Sequence, residues 1–389
     1  MLRQYLRGLV LVPFLALGVP ALANEAATPA AEAPADAMVP PTNASNMLLI
    51  DATTGAVLAE KNSNEKMFPS SMSKLMTEYL LFDELKRGTL KLTDTFPVSE
   101  NAWRIQGSKM FVPLGAQIPI EDLIRGITVQ SGNDACMVVA EGLAGSEAAF
   151  AQRLNAKAKE LGMHHSNFVN ASGWPDENHY TTASDLAILA TRMIADFPEF
   201  YHYFSEKEFT YNSIRQYNRN LLLGQGGVDG MKTGHTEAAG YGIVLSAKEA
   251  ATNRRLILVI NGLSSMKERE REGAYLLNWG FRNFENVTLA EPGNIITEAP
   301  VAVGRADKVG LTTTAPLIVT LPKINPGAVT IKAHYVSPLE APVAAGKEAG
   351  EILVTLPGGS TQRLPLVTAS AVERKGFFAR IPETIRSWF

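Results

Sequence analysis

One cysteine, Cys136, stands among 389 residues. That excludes an intrachain disulfide framework and a zinc site built on several thiolates. Positive charge is not in excess: 36 Lys and Arg meet 39 Asp and Glu, a formal net charge of −3. The chain therefore lacks the basic footprint of a nucleic-acid binder, and no nucleic-acid partner is expected. Histidine is scarce, six in all, and His164, His165, His179, His202 and His334 lack metal-ligand spacing. No His-Glu-x-x-His occurs, and neither a metal nor another cofactor is expected. Long apolar runs are missing beyond the N-terminus, which excludes a multi-span membrane protein. With 46% hydrophobic residues the chain still has ample core material and no compositional case for general disorder.

What is present divides the chain into five parts. Arg3 and Arg7 form a positive region, Gly8 to Val19 an apolar stretch too short to span a bilayer, and Ala21-Leu22-Ala23 a cleavage site. Residues 1–23 thus read as an export signal, and the protein works outside the cytoplasm. A lone cysteine there is either buried or reactive, and nothing in the sequence makes Cys136 a nucleophile. Residues 24–44 are rich in Ala, Pro and Glu without apolar periodicity and read as a flexible leader. A globular domain follows over 45–285, then a β-rich module over 286–372. In 373–389, Phe377, Phe378, Ile381, Ile385, Trp388 and Phe389 share one helical face, with Arg374, Lys375, Arg380 and Arg386 adding positive charge. That pattern predicts a helix lying in the lipid interface, the alternative being a helix docked on its own domain. Pro382 either starts or kinks it.

The patterning within the two domains differs. Met47–Ile50 and Ala56–Leu58 read as strands around the turn signal Thr53-Thr54-Gly55. Ser71 to Lys86 reads as a helix with Leu75, Met76, Tyr79, Leu80 and Phe82 on its apolar face. Further helices fill 119–160, interrupted at Ser131-Gly132-Asn133, with Asp134 beginning the next. Tyr241–Ser246 and Leu256–Ile260 are short apolar strands. The expected class is α+β, with the first strands pairing with the last. Beyond about Asn286 only short β-branched runs remain, Leu317–Leu321, Val329–Ile331 and Ile352–Leu356, separated by Pro and Gly turn signals including Pro357-Gly358-Gly359.

Three short motifs carry the chemistry. Ser-x-x-Lys occurs at Ser63–Lys66, Ser71–Lys74 and Ser264–Lys267. Residues i and i+3 share a helical face, so a lysine there can take the serine's proton once burial lowers its pKa. Only Ser71–Lys74 follows a proline and opens an apolar helix; the plain alternative is that Ser71 is a cap. Ser-x-Asn occurs at Ser99-Glu100-Asn101, in an apparent loop, and at Ser131-Gly132-Asn133 between two helices. Lys232-Thr233-Gly234 occurs once, ahead of the strand beginning at Tyr241. Gly234 at a strand edge removes bulk, so a peptide-like substrate can approach the backbone as an added strand.

Pro69-Ser70-Ser71-Met72-Ser73-Lys74-Leu75-Met76, Gln130-Ser131-Gly132-Asn133-Asp134-Ala135-Cys136 and Asp229-Gly230-Met231-Lys232-Thr233-Gly234-His235-Thr236 together resemble the three signatures of low-molecular-weight penicillin-binding proteins. The match is to D-alanyl-D-alanine carboxypeptidases bearing a C-terminal β-domain and an amphipathic membrane anchor, and spans about Asn46 to Phe389. Gly107–Phe111 and Ile214–Asn220 resemble the family as well. The resemblance implies a β-lactamase/transpeptidase-like antiparallel sheet flanked by helices, followed by a small all-β domain. It implies Ser71 as acylated nucleophile, Lys74 as its base, and Ser131 and Asn133 completing the proton path and holding the substrate amide. It implies Lys232 and Thr233 beside Gly234, with His235 lining the site, and Arg219 and Arg269 favouring the substrate carboxylate. The implied partners are peptidoglycan stem peptides, β-lactam antibiotics and, through the terminal helix, the outer face of the cytoplasmic membrane; the implied location is the periplasm. Ser73 stands where Thr is common, and Ser172-Gly173-Trp174-Pro175-Asp176 falls where the family often has His-Gly-Leu-Asp. A serine β-lactamase and a non-catalytic wall-binding module are the alternatives; the absence of Glu-x-x-Leu-Asn ahead of Leu154-Asn155 weighs against the first, and the complete constellation against the second.

Overall fold

The computed structural model describes residues 39–356 and 361–376. The expected signal peptide, most of the leader, the Pro357-Gly358-Gly359 turn and residues 377–389 lie outside them.

The chain divides into two compact units between Arg282 and Asn283. The first opens with a hairpin, β1 (Asn46–Asp51) and β2 (Val57–Lys61). Asp51 makes its turn, accepting from the Thr53 and Thr54 N–H groups at 2.9 and 3.1 Å, as short carboxylates do for their own backbone. The central helix α1 (Lys74–Lys86) follows a single 3-10 turn over Ser70–Ser73. A short hairpin, β3 (Thr95–Pro97) and β4 (Gln117–Pro119), encloses helix α2 (Glu100–Arg104). Next come α3 (Ile120–Thr128), α4 (Asn133–Ala144), α5 (Glu147–Glu160) and α6 (Ala183–Asp196). The small hairpin β5 (Glu208–Tyr211) and β6 (Ile214–Tyr217) leads to three long strands, β7 (Val228–Thr236), β8 (Gly240–Lys248) and β9 (Arg255–Leu263). Helix α7 (Met266–Asn283) ends the unit.

The main sheet has the order β2-β1-β9-β8-β7 and is antiparallel throughout. The first strands do pair with the last, Asn46 opposite Asn261. This leaves β7, with Lys232-Thr233-Gly234, at one edge. β9 shows why the sheet closes here: Leu256 to Ile260 is apolar without interruption and wholly buried, the pattern of a strand covered on both faces.

Helix α1 corrects the sequence reading of a one-sided apolar face. Leu75, Met76, Thr77, Glu78, Tyr79, Leu80, Leu81 and Phe82 are all buried, so the helix runs through the interior. Ser99, expected in a loop, caps α2 by accepting from the Ala102 N–H at 3.0 Å. That second Ser-x-Asn triplet is therefore structural.

The second unit is β-rich. A six-stranded sheet has the order β14-β16-β17-β12-β11-β15, and a pair joins β10 to β13. The strands are β10 (Phe284–Ala290), β11 (Thr297–Ala302), β12 (Lys308–Thr312), β13 (Leu317–Pro322), β14 (Thr330–Tyr335), β15 (Leu339–Glu340), β16 (Glu348–Thr355) and β17 (Thr361–Thr368). Leu311, Val319, Ile352, Val354 and Leu366 centre its core. Glu373 and Lys375 bond Arg305 and Val303 through their backbones, and Arg374 bridges Gly304. The first residues of the expected terminal helix are therefore extended: a chain already paired with a β edge cannot also form helical bonds.

Phe82 fixes the far end of α1, its ring 5.8 Å from Phe197, 5.2 Å from Phe200 and 6.1 Å from Phe204. Phe82→Ala is expected to cost the first unit about 3–5 kcal/mol, read as a lowered midpoint in urea unfolding followed by near-UV circular dichroism.

Candidate active site

The Ser70–Ser73 turn sets the site. Ser71 lies inside this turn rather than at the α1 cap, and the cap residue Ser73 makes no capping bond. Ser71's hydroxyl is thus not spent on the helix. Ser70 has φ of 49°, a left-handed backbone costing of order 1–3 kcal/mol for a non-glycine residue. Packing holds it there: Ser70 Oγ lies 3.1 Å from Thr236 Oγ1 on β7. The turn also presses on Gly234, where an added Cβ would stand 2.8 Å from the Pro69 carbonyl oxygen. The glycine of Lys-Thr-Gly is thus required by close approach of the turn, besides any role toward substrate.

Lys74 is fully buried. Its Nζ lies 2.9 Å from Ser71 Oγ, 2.8 Å from Asn133 Oδ1 and 2.7 Å from the Ser172 carbonyl oxygen. Asn133 is oriented by its own Nδ2, which donates to the Gln106 carbonyl at 2.7 Å. Burial lowers the Lys74 pKa to about 8, assisted by the charge of Arg219 and opposed by Cys136, Glu78 and Asp134.

Ser131 sits between α3 and α4 with φ of 58°. Its Oγ accepts from Lys232 Nζ at 2.9 Å, and the same amine reaches the Thr233 carbonyl at 3.2 Å. Burial and the charge of Lys74 hold the Lys232 pKa well below its usual value. Asp134 does open α4, and its carboxylate gathers the Met110, Phe111 and Val112 N–H groups at 2.9, 2.8 and 3.2 Å. This ties the Gly107–Phe111 segment to the start of the helix.

Thr233 is buried, whereas His235 is exposed and stacks on Tyr241 at 3.8 Å. The Asn-Arg-Asn segment is anchored by its outer members. Asn218 donates to the Glu206 carbonyl at 3.0 Å, Asn220 to the Gly230 carbonyl at 3.3 Å, and Arg219 remains exposed. Arg269 is buried, its guanidinium 5.7 Å from the Tyr241 ring and donating to the Arg219 carbonyl at 3.1 Å. Burial lowers its pKa to about 10. The two arginines therefore meet through a backbone oxygen. Ser63–Lys66 and Ser264–Lys267 stay apart from this cluster: Ser63 bonds Glu60, and Ser264 bonds Glu268. Cys136 is buried, its thiol pushed up to about 12 by desolvation, which removes it as a nucleophile.

Three groups around the site were missed from the sequence. The Ser172 carbonyl has no side-chain signature. Glu78 lay within an apolar pattern. His179 was weighed only as a metal ligand, yet its Nε2 lies 2.8 Å from Ser73 Oγ. Its Nδ1 accepts from the Val169 N–H at 3.3 Å, so Nε2 carries the proton and donates to Ser73. Burial lowers its pKa to about 4. A cleft of about 250 Å³ opens beside this turn, lined by Phe68, Trp174, Asp176, Glu177, His179 and Thr236.

A buried amine against a serine hydroxyl, beside a free sheet edge in an α+β domain, defines a serine hydrolase of the Ser-x-x-Lys type. The chain belongs to the D-alanyl-D-alanine carboxypeptidase family, whose model matches residues 32–265. A second model, "Penicillin-binding protein 5, C-terminal domain", matches residues 284–374. The chain is 38% identical over 362 residues to the D-alanyl-D-alanine carboxypeptidase DacA of Escherichia coli K12, covering 90% of this chain and 89% of that one. It is 39% identical over 365 residues to DacC of the same organism, covering 90% of each. Its fold is similar to the crystal structure of penicillin binding protein 5 from Haemophilus influenzae, with a TM-score of 0.79, 37% identity and coverage of 86% and 99%. The β-lactamase and the non-catalytic alternatives are set aside.

Gly173 has φ of 77°, and a Cβ there would stand 1.8 Å from the Ser70 carbonyl oxygen. Gly173→Ala must therefore displace the turn that carries Ser71. Acylation by a fluorescent penicillin is expected to slow on the order of 10²-fold, the cost of misplacing reacting groups by about 1 Å, as read by stopped-flow labelling.

Proposed function

We propose that this serine-type D-Ala-D-Ala carboxypeptidase works through Ser71 as acylated nucleophile and Lys74 as general base. The observation that carries the reading is the set of three oxygens around Lys74 Nζ. An uncharged amine has two N–H donors and one lone pair. The Ser172 carbonyl and the Asn133 amide oxygen can only accept, so they take the two N–H groups. Ser71 is the only one of the three that can donate, so the lone pair faces its hydroxyl.

The reaction follows from that placement. Ser71 Oγ attacks the carbonyl carbon of the penultimate D-Ala in a peptidoglycan stem peptide while Lys74 takes the hydroxyl proton. The oxyanion is held by backbone N–H groups, assigned to Ser71 and His235; one such donor is worth about 10²–10³ in rate. The proton passes by way of Ser131, which Lys232 holds in place, to the leaving nitrogen, and D-Ala departs as the C–N bond breaks. Water then attacks the acyl-enzyme ester, with Lys74 again taking a proton, and restores Ser71. Asn133 holds the substrate amide, and Thr233 with the charges of Lys232, Arg219 and Arg269 attracts the terminal carboxylate. β-Lactams enter by the same acylation and stall at the ester.

The family relationship is consistent with a periplasmic, membrane-associated protein. We assign attachment to the C-terminal segment, where Phe377, Phe378, Trp388 and Phe389 combine with Arg380 and Arg386. No helix among the described residues is long and apolar enough to cross a membrane.

Incubation with a peptide ending in D-Ala-D-Ala is expected to release D-Ala; rapid nitrocefin turnover without it would contradict the reading. Ser71→Ala is expected to abolish both D-Ala release and labelling by fluorescent penicillin, and labelling of another serine would overturn the assignment. Lys74→Ala is expected to slow acylation by about 10²–10⁴ while leaving the encounter constant nearly unchanged. Because the Lys74 pKa lies at about 8, raising the pH converts ammonium into free amine. Pre-steady-state acylation is expected to climb with pH and level off above about 8, and a flat profile would reject the base role.

A further inference from the structure

The buried carboxyl of Glu78 takes no part in the mechanism above. It lies one turn beyond Lys74 on α1 and is fully buried; residues four apart share a helical face. Lys74 acts on it from the same helix and Lys232 from β7. Glu78 in turn acts on Cys136 of α4, which also feels Asp134. From α3, Thr128 Oγ1 lies 2.5 Å from Glu78 Oε1 and 2.9 Å from the Ile124 carbonyl oxygen. Oε2 is buried with no hydrogen-bond partner among the described residues.

The proton count is informative. Thr128 has one hydroxyl hydrogen and faces two oxygens, of which the Ile124 carbonyl can only accept. If Glu78 is ionised, one of those contacts has no hydrogen, and Oε2 is an unsolvated anionic oxygen, a costly group to bury. If Glu78 is a neutral acid, its proton goes to Thr128 Oγ1 and the Thr128 proton goes to Ile124. Both contacts are then hydrogen bonds, and Oε2 is only a carbonyl oxygen.

We propose that Glu78 is a positioning residue for the base: bonded to Thr128 as a neutral acid it keeps negative charge off Lys74, and once ionised its charge holds a proton on that amine, so Glu78 helps set the pH at which Lys74 becomes free to accept the Ser71 proton. Desolvation acts in the same direction, raising the Glu78 pKa to about 7. Above that pH the carboxylate forms, and its charge raises the proton affinity of Lys74. Glu78 therefore shapes the acid limb of acylation, broadening it and holding it at higher pH than an uncharged residue would. This rests on Lys74 acting as the base.

The test compares acylation rate against pH for the wild type, Glu78→Gln and Glu78→Asp. Glu78→Gln cannot ionise, so its acid limb is expected to move to lower pH by on the order of 1 unit. Glu78→Asp keeps a titrating carboxyl, and its limb is expected to stay with the wild type even if the plateau falls. A limb unmoved or moved upward in Glu78→Gln overturns the proposal; a wild type with no acid limb overturns the base reading itself. A purely structural role would change the plateau or the melting temperature without moving the limb of one variant and not the other. The wild-type protein gives a second arm independent of either variant's folding. Carbon-13 NMR of labelled glutamate, assigned through bonds to the Glu78 backbone, is expected to show a carboxyl titrating near 7. Titration in the ordinary range near ~4.3 would overturn the proposal.

Discussion

Everything in the first unit depends on keeping one amine dry. In water a lysine is an ammonium ion and a useless base; out of water, holding the extra proton costs several kcal/mol unless it is paired. Among the described residues Lys74 has no carboxylate in hydrogen-bond contact, only two neutral oxygens and the Ser71 hydroxyl. Much of the local architecture follows from that need. α1 runs through the interior, the Ser70–Ser73 turn presses on β7 at Gly234, and Gly173 lets the Ser172 carbonyl come in from the other side. Two non-glycine residues with left-handed backbones, Ser70 and Ser131, precede Ser71 and Asn133 in their motifs. Such conformations persist only where surrounding contacts over-determine them.

The second lysine makes the balance finer. Lys74 lowers the proton affinity of Lys232, and Arg219 acts on both amines in the same direction. A site meant to draw in a carboxylate must collect positive charge. The same charge keeps the base unprotonated. In the proposed mechanism, recognition of the substrate's end and activation of the nucleophile are thus served by one electrostatic field.

Side chains with fixed spacing were legible in the sequence. Ser71–Lys74, Ser131–Asn133 and Lys232–Gly234 each declare a residue type and a local conformation, and the structure brings all three into one cluster. The apolar runs of β1 and β9 announced a sheet closed by its two ends, and the sharp drop in helical periodicity after Asn286 announced the β-rich unit. What stayed hidden has physical reasons. Ser172 contributes a backbone oxygen, which every residue possesses. Glu78 interrupts an apolar helix that is buried on all sides, where the usual alternation between dry and wet faces is missing. His179 acts through Ser73, one contact away from the chemistry. Ser99 and Ser131 carry the same triplet, and only tertiary packing separates a cap from a participant.

The pairing of Asn46 with Asn261 bears on how the molecule comes into being. β1 has β2 on one side from the outset, but its other neighbour is made only when nearly the whole catalytic unit has been synthesised. Contacts so distant along the chain are entropically slow to form. Until β9 arrives, the central layer is open along its length and the nascent polypeptide has no finished core to lock.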